Sequence, residues 1–206
     1  MSPPELVLAS QSPRRSQLLT MLGLEFAVSP ADVDETYAPG EEAGAHAERL
    51  AREKAAKIAV LRDSAIVVGS DTVVVIDGDV LGKPRNKDEA VAMLMRLQGR
   101  SHEVATGVAV SAGGETHSSV VRVTVTFRAF DEAIARAYVE TGEPMDKAGA
   151  YGIQGFGATI VDRIDGDFFA VMGFPIVAFI QLLERHGWHY DFGRLQRAAA
   201  NGSSSR

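Results

Sequence analysis

The sequence predicts a mixed α/β fold in which a central mixed sheet is flanked by helices, with two lobes around a cleft. Short apolar strands alternate with helical stripes along the chain, the pattern of a layered α/β protein. Hairpin signals at Asp77-Gly78 and Asp165-Gly166, and a glycine pair at Gly113-Gly114, stand among strand–helix crossovers, so antiparallel and parallel pairings coexist. The first strand–helix turn lacks G-x-G-x-x-G, and no G-x-x-x-x-G-K-[ST] occurs, which argues against a doubly wound fold.

The elements follow in order. Leu6-Val7-Leu8 is a short apolar strand. Ser12 stands at an N-cap and Pro13 at the first helical position; Leu18, Leu19 and Leu22 form the stripe, and Gly23 ends the helix. Phe26 to Ser29 reads as a strand, and residues 31–40 as an acidic loop with Asp32, Asp34 and Glu35. A helix is expected from about Glu42 to Leu61, with exposed i,i+4 pairs Glu48–Arg52 and Glu53–Lys57. Ala65 to Val68 is a buried strand that resumes at Val73–Ile76 after Gly69-Ser70-Asp71-Thr72. Lys87 to Gln98 is a helix closed by Gly99, and Val104–Ser111 and Ser119–Arg128 are long strands. In the second, Val121, Val123, Val125 and Phe127 alternate with polar residues, so one face is buried. Asp131 to Thr141 is a helix. A glycine-rich loop runs to Gly157, followed by strands at Thr159–Ile164 and Phe168–Val171, and Pro175 opens a last helix to about His186. One domain over 1–191 is expected, with a flexible tail over 192–206.

Composition narrows the function. The chain has 206 residues, 46% of them hydrophobic and 23% charged, which suits a globular domain with a full core. Lys and Arg number 21 against 27 Asp and Glu, a net charge of −6, so nothing attracts nucleic acid globally and a polyanion needs a local cationic cluster. There is no cysteine, which removes disulfides, thiolate zinc sites and cysteine nucleophiles together. No apolar run approaches the roughly 20 residues that span a bilayer, and the N-terminus lacks the pattern of a secretory leader, so no membrane partner is expected and a cytoplasmic location is the default.

Three segments carry chemistry. In Ala9-Ser10-Gln11-Ser12-Pro13-Arg14-Arg15, two arginines occupy the first helical turn, where the dipole disfavours cations by roughly 0.3–1 kcal/mol each. With free N–H groups and the Ser10 and Ser12 hydroxyls they make a ready phosphate cradle; two solvated surface arginines are the plain alternative. In Gly69-Ser70-Asp71-Thr72, an acid lies between apolar strand segments, which is costly unless it is paired or holds a metal. Asp71 could accept a proton from water, bind a hard cation, do both, or hold a turn. Glu35 is a second candidate oxygen ligand. Lys54 belongs to neither i,i+4 pair and lies near the apolar stripe, so it is placed to point into a cleft, and Lys83 sits in a proline-stiffened loop. The third segment runs from Asp146 to Gly155 and lies among five glycines, at 142, 149, 152, 155 and 157. Glycine there lets backbone approach a ligand or turn with φ > 0, and the Gln154 amide suits the edge of a nucleobase; a plain tight connection is the alternative.

Taken together, these residues resemble the Maf family of nucleoside triphosphate pyrophosphatases, whose fold is similar to that of the inosine triphosphatase-like enzymes. The resemblance spans Leu6 to about Leu183. It rests on Leu8-Ala9-Ser10-Gln11-Ser12-Pro13-Arg14-Arg15, Arg52-Glu53-Lys54-Ala55, Gly69-Ser70-Asp71-Thr72 with Gly82-Lys83-Pro84, and the segment Asp146–Gly155, which looks like the subgroup acting on dTTP and UTP. The resemblance implies Asp71 as proton acceptor and specificity-linked positions at Arg14, Thr72 and Gln154. It implies that Ser10, Arg15, Glu35, Lys54 and Lys83 complete a phosphate and metal site, with Glu35 and Asp71 on Mg²⁺ or Mn²⁺. The expected reaction is hydrolysis of dTTP or UTP to the monophosphate and pyrophosphate, in a house-cleaning role, by a chain that could form a homodimer. The same chemistry on 7-methyl-GTP or another modified nucleotide is one alternative. A non-catalytic nucleotide-binding regulator of septum formation is another. Ser70 stands where many members carry Ala, and Gly166-Asp167-Phe168-Phe169 departs from the family pattern.

Overall fold

The computed structural model describes residues 4–198. Its regular elements are β1 (Leu6–Leu8), α1 (Pro13–Met21), β2 (Ala27–Val28), α2 (Ala43–Ala59), β3 (Ile66–Ile76), β4 (Asp79–Leu81), α3 (Lys87–Leu97), β5 (Ser101–Ala112), β6 (Glu115–Phe127), α4 (Glu132–Glu140), β7 (Val161–Asp165), α5 (Phe168–Val171), α6 (Ile176–Arg185), β8 (Trp188–Tyr190) and β9 (Leu195–Arg197). Three short 3₁₀ turns, Glu143–Asp146, Ala148–Ala150 and Gly155–Thr159, fill the glycine-rich segment.

The helix starts follow from the residues that precede them. The Glu42 carboxylate accepts from the N–H groups of Gly44 and Ala45, Asn86 from Glu89, and Asp131 from Ile134. Phe168–Val171, expected as a strand, is helix α5 instead: the Asp167 carboxylate accepts from the N–H groups of Phe169 and Ala170 and nucleates a turn. Ser12 occupies the N-cap position of α1 without a side-chain capping bond; its own N–H donates to Ser10 Oγ at 3.2 Å. On α2 the expected Glu48–Arg52 and Glu53–Lys57 pairs give way to other partners. Arg49 pairs with Glu53, Arg52 and Glu48 both reach Ser118 on β6, and Lys57 donates to the Asp32 carbonyl.

The sheet is mixed, with strand order β2-β1-β3-β5-β6-β7. β1 runs parallel to β2 and to β3, while β3, β5, β6 and β7 are antiparallel in sequence of space. β3 continues unbroken through Gly69–Thr72, so Asp71 is a mid-strand residue and not part of a turn. On one edge β3 meets β5 from Val67 to Val75. On the other it meets β1 over Ile66–Val68 and β4 over Val74–Ile76, which leaves Gly69–Val73 without a strand partner on that side.

Helix α2 covers one face of the sheet and approaches it closely. A Cβ on Gly69 would meet the Ala51 carbonyl oxygen at 2.3 Å, and one on Gly107 would meet that of Ala47 at 2.3 Å. Two larger apolar clusters lie elsewhere. One joins Leu8, Leu19, Ile66, Val110, Phe174, Phe179 and Leu183 under α1 and α6; the other joins Val74, Leu94, Val104, Val125, Phe127 and Val139 under α3 and α4. The cleft opens between them, at the gap in the edge of β3.

The first residues of the expected tail are not free: Leu195–Arg197 pairs antiparallel with Trp188–Tyr190, and the Arg197 guanidinium lies 5.0 Å from the Trp188 ring centroid. The remainder, 199–206, lies outside the described residues. Among the described residues no helix is long and apolar enough to cross a membrane.

Candidate active site

The cleft is a cavity of about 870 Å³ that brings together chain segments from Ala9 to Gly173. Ser10, Arg14, Arg15, Glu35, Lys54, Asp71, Thr72, Lys83 and Gln154, every site residue expected from the sequence, line it. A second hollow of about 380 Å³, lined by Asp63, Glu115, Arg185, His186 and Trp188, contains none of them.

At its centre Lys54 Nζ donates to Asp71 Oδ1 at 2.6 Å and to Glu35 Oε1 at 2.7 Å. Lys54 is buried, with 8% of its surface exposed, and two carboxylates satisfy its ammonium. Helix α2 presents Lys54 downward and β3 presents Asp71 upward, and the bare Gly69 and Gly107 let the helix come near enough for contact. Glu35 arrives from the loop 31–42. Burial pushes its carboxyl up, but the Lys54 ammonium, helped by Lys83 and Arg15, outweighs this and holds it below the usual carboxylate range. Among the described residues no hydrogen bond reaches Asp71 Oδ2, whereas Oδ1 is engaged.

The start of α1 forms the second wall. Arg15 Nε donates to the Gly173 carbonyl at 2.8 Å and Nη1 to Ser10 Oγ at 3.0 Å. Burial pushes the Arg15 guanidinium down, with the Asp71 charge opposing. The sequence alternation of β3 explains the neighbours: Asp71 faces α2, while Ser70 and Thr72 face the other side. Ser70 Oγ donates to the carbonyls of Gly107 and Gly173, and Thr72 Oγ1 accepts from Thr106 Oγ1 at 3.0 Å. Serine at position 70 therefore closes a polar contact that an alanine there would leave open.

The third wall is the glycine-rich segment. Arg14 Nη1 donates across the cleft to Asp146 Oδ2 at 3.1 Å, and Lys147 Nζ donates to Asp146 Oδ1 at 2.6 Å. The Gly149 N–H donates to the Gly82 carbonyl at 3.1 Å, tying the Lys83 loop to this wall. Gly149 has φ of +69°, and a Cβ there would press on Val74 at 3.0 Å, so glycine is required twice over. Glu143 accepts from Tyr138, Phe156 and Gly157, and Gly152 N–H donates to Tyr138 Oη at 3.0 Å. These bonds shape the turn on which Gln154 stands exposed at the cavity rim.

Several contributors escape sequence reading. Asp146 and Lys147 lie inside the dense segment but carried no role. Tyr37 and His46 line the cavity as a stacked pair, with ring centroids 3.5 Å apart. Tyr138, Glu143 and Arg49 organise the walls from outside; no local pattern separates them from ordinary surface residues.

Asp71 and Glu35 are the two carboxylates here that could hold a divalent ion. Both now accept from the Lys54 ammonium, which stands where positive charge is held, and among the described residues no cluster of three or more His, Asp or Glu side chains exists. Mg²⁺ is usually held by one or two carboxylates, with water and substrate phosphate completing its shell.

A family model described as Maf-like protein matches residues 5–186. A dTTP/UTP pyrophosphatase of Myxococcus xanthus is 50% identical over 182 residues, 88% of this chain and 92% of that protein. Proteins of the same name from Symbiobacterium thermophilum and Vibrio cholerae are 46% and 47% identical, covering 89% and 88% of this chain and 95% and 97% of theirs. A dITP/XTP pyrophosphatase structure from Mycobacterium abscessus is 14% identical with a TM-score of 0.38, covering 60% of this chain and 74% of that one, a likeness that carries no argument. A whole-domain family match and relatives near half identity leave one conclusion: the chain belongs to the Maf family.

Proposed function

We propose that this protein hydrolyses a pyrimidine nucleoside triphosphate, dTTP or UTP, to the monophosphate and pyrophosphate. The observation that carries this reading is the convergence of Arg14, Arg15, Lys54 and Lys83 with Asp71 and Glu35 on one cavity. The names of the relatives support the substrate class. A free triphosphate carries about four negative charges, and phosphoryl transfer asks the protein mainly for positioning and charge neutralisation.

In this reading Arg15 and Ser10 receive phosphate oxygens at the start of α1, and Lys54 and Lys83 flank the chain of phosphates. Asp71 accepts a proton from the attacking water. A new bond forms between the water oxygen and phosphorus, the phosphoanhydride bond breaks, and pyrophosphate leaves with the electron pair. Asp71 and Glu35 would hold Mg²⁺ or Mn²⁺, which when bound neutralises phosphate charge and acidifies water. Arg14, Thr72 and Gln154 select the base, with the Gln154 amide reading its paired donor and acceptor edge.

The deciding experiment is a panel of nucleoside triphosphates with Mg²⁺ or Mn²⁺, following pyrophosphate and orthophosphate separately. Pyrophosphate as the first product from dTTP and UTP is expected. Orthophosphate first, or tight binding without turnover, would replace this reading with a phosphatase or a nucleotide sensor.

A further inference from the structure

The loop that delivers Glu35 has little structure of its own: residues 31–42 contain only a turn at 39–40. Helix α2 holds it from beneath. Arg49 Nε donates to Glu41 Oε1 at 2.7 Å, and Arg49 Nη2 donates to Glu41 Oε2 at 2.9 Å and to the Thr36 carbonyl at 3.0 Å. Glu41 Oε2 also accepts from the Ala38 N–H at 3.1 Å and lies 2.9 Å from His46 Nδ1. Tyr37 completes the clasp by stacking on His46, the ring planes 5° apart. The Glu41 side chain is only 10% exposed, and a carboxylate so enclosed is held well below its usual pKa by Arg49.

Arg49 does not line the cavity, and its polar contacts reach Glu41, Thr36, Glu53 and His46. Thr36 is the residue next to Glu35. We propose that Arg49 is a positioning residue: with Glu41 it clamps the loop onto α2, the helix that also carries Lys54, and so sets Glu35 against Lys54 and Asp71. The two halves of the carboxylate–lysine centre thereby share one rigid base. This rests on the proposed function for its catalytic consequence, and on geometry alone for the clamp.

The test compares Arg49→Ala, Glu35→Ala and the double variant in the full chain. Arg49→Ala should lower kcat/KM for dTTP or UTP by about 10–100-fold, the scale of a misplaced reacting group. The double variant should match Glu35→Ala within about 2-fold, because Arg49 acts through Glu35; losses that multiply fully would overturn the proposal, since a general folding defect behaves that way. Glu41→Ala, which removes the acceptor from the loop without replacing any residue of α2, should reproduce the Arg49→Ala loss, and wild-type kinetics in both would also overturn it. Hydrogen exchange supplies a readout free of catalysis: the Thr36 and Ala38 amides should exchange at least about 10-fold faster in Arg49→Ala, with the core of α2 unchanged. Unchanged loop exchange removes the clamp. A wild-type chain that hydrolyses no triphosphate would overturn the proposed function instead, and the exchange comparison would still decide the clamp.

Discussion

Lys54 is the residue on which the site turns. Its ammonium bridges Asp71 and Glu35 while almost wholly buried, so removing it leaves two acids facing one another in a partly dry site. Lys54→Met should weaken triphosphate binding by about 10-fold or more, measured by calorimetry with a non-hydrolysable analogue, since charge-assisted bonds contribute about 1.5–3 kcal/mol each. Asp71→Asn should bind the same analogue and lose hydrolysis; full activity in that variant would remove Asp71 from the chemistry. Gln154→Ala should change the ratio of kcat/KM between dTTP and purine triphosphates, by about 1–3 kcal/mol of discrimination, more than it changes turnover. His102 makes a separate prediction about stability. Its Nε2 lies 2.8 Å from Tyr151 Oη, Nδ1 has no partner among the described residues, and burial pushes the imidazole down to about 4. The folded state keeps this ring neutral while the unfolded chain protonates it near pH 6.5, so its contribution is complete above that pH and is lost as pH falls toward 4. His102→Phe should flatten the fall in urea midpoint between pH 7 and pH 4.5; an unaltered slope would assign the acid sensitivity elsewhere.

At the scale of elements, the approach of α2 to the sheet decides whether the centre forms at all. Gly69 and Gly107 stand where the helix backbone lies within 2.3 Å of a would-be Cβ. Alanine at either position must push α2 away, because carbonyl backbone cannot yield as a flexible side chain does. Gly69→Ala should cost about 1–3 kcal/mol of stability by urea unfolding and lower activity more than stability accounts for, through a longer Lys54–Asp71 distance. Element identity was largely legible beforehand. Pro13, Asn86 and Asp131 mark helix starts by chemistry that acts within one turn. Phe168–Val171 was misread because four apolar residues look like a strand until the Asp167 cap is counted. Leu195–Arg197 was misread because a short polar strand has no signal apart from its partner, Trp188–Tyr190.

For the whole molecule, the proposed function depends on a cleft assembled from segments as distant as Ser10 and Gly173. The sheet leaves room for it by giving β3 two different neighbours on one edge, β1 and β4, with Gly69–Val73 between them. An analogue bridging α1, β3 and the glycine-rich wall should therefore stabilise the fold as one unit. At about 100 times its dissociation constant, an α,β-imido triphosphate should add about 2.7 kcal/mol and raise the Tm by roughly 5–10 °C. Broadening of the thermal transition without a shift would indicate that the walls move independently.

The sequence by itself determined the mixed α/β class, most element boundaries, and part of the set of side chains that line the cavity. Those are consequences of local forces: periodic burial, capping, and the cost of placing arginine at a helix start or aspartate inside an apolar strand. Only the tertiary structure decided who touches whom. That Lys54 unites Asp71 with Glu35, that Arg14 reaches Asp146, and that Arg49 grips the loop all depend on contacts between residues separated by seven to more than a hundred intervening positions along the chain, where no short-range pattern records a neighbour.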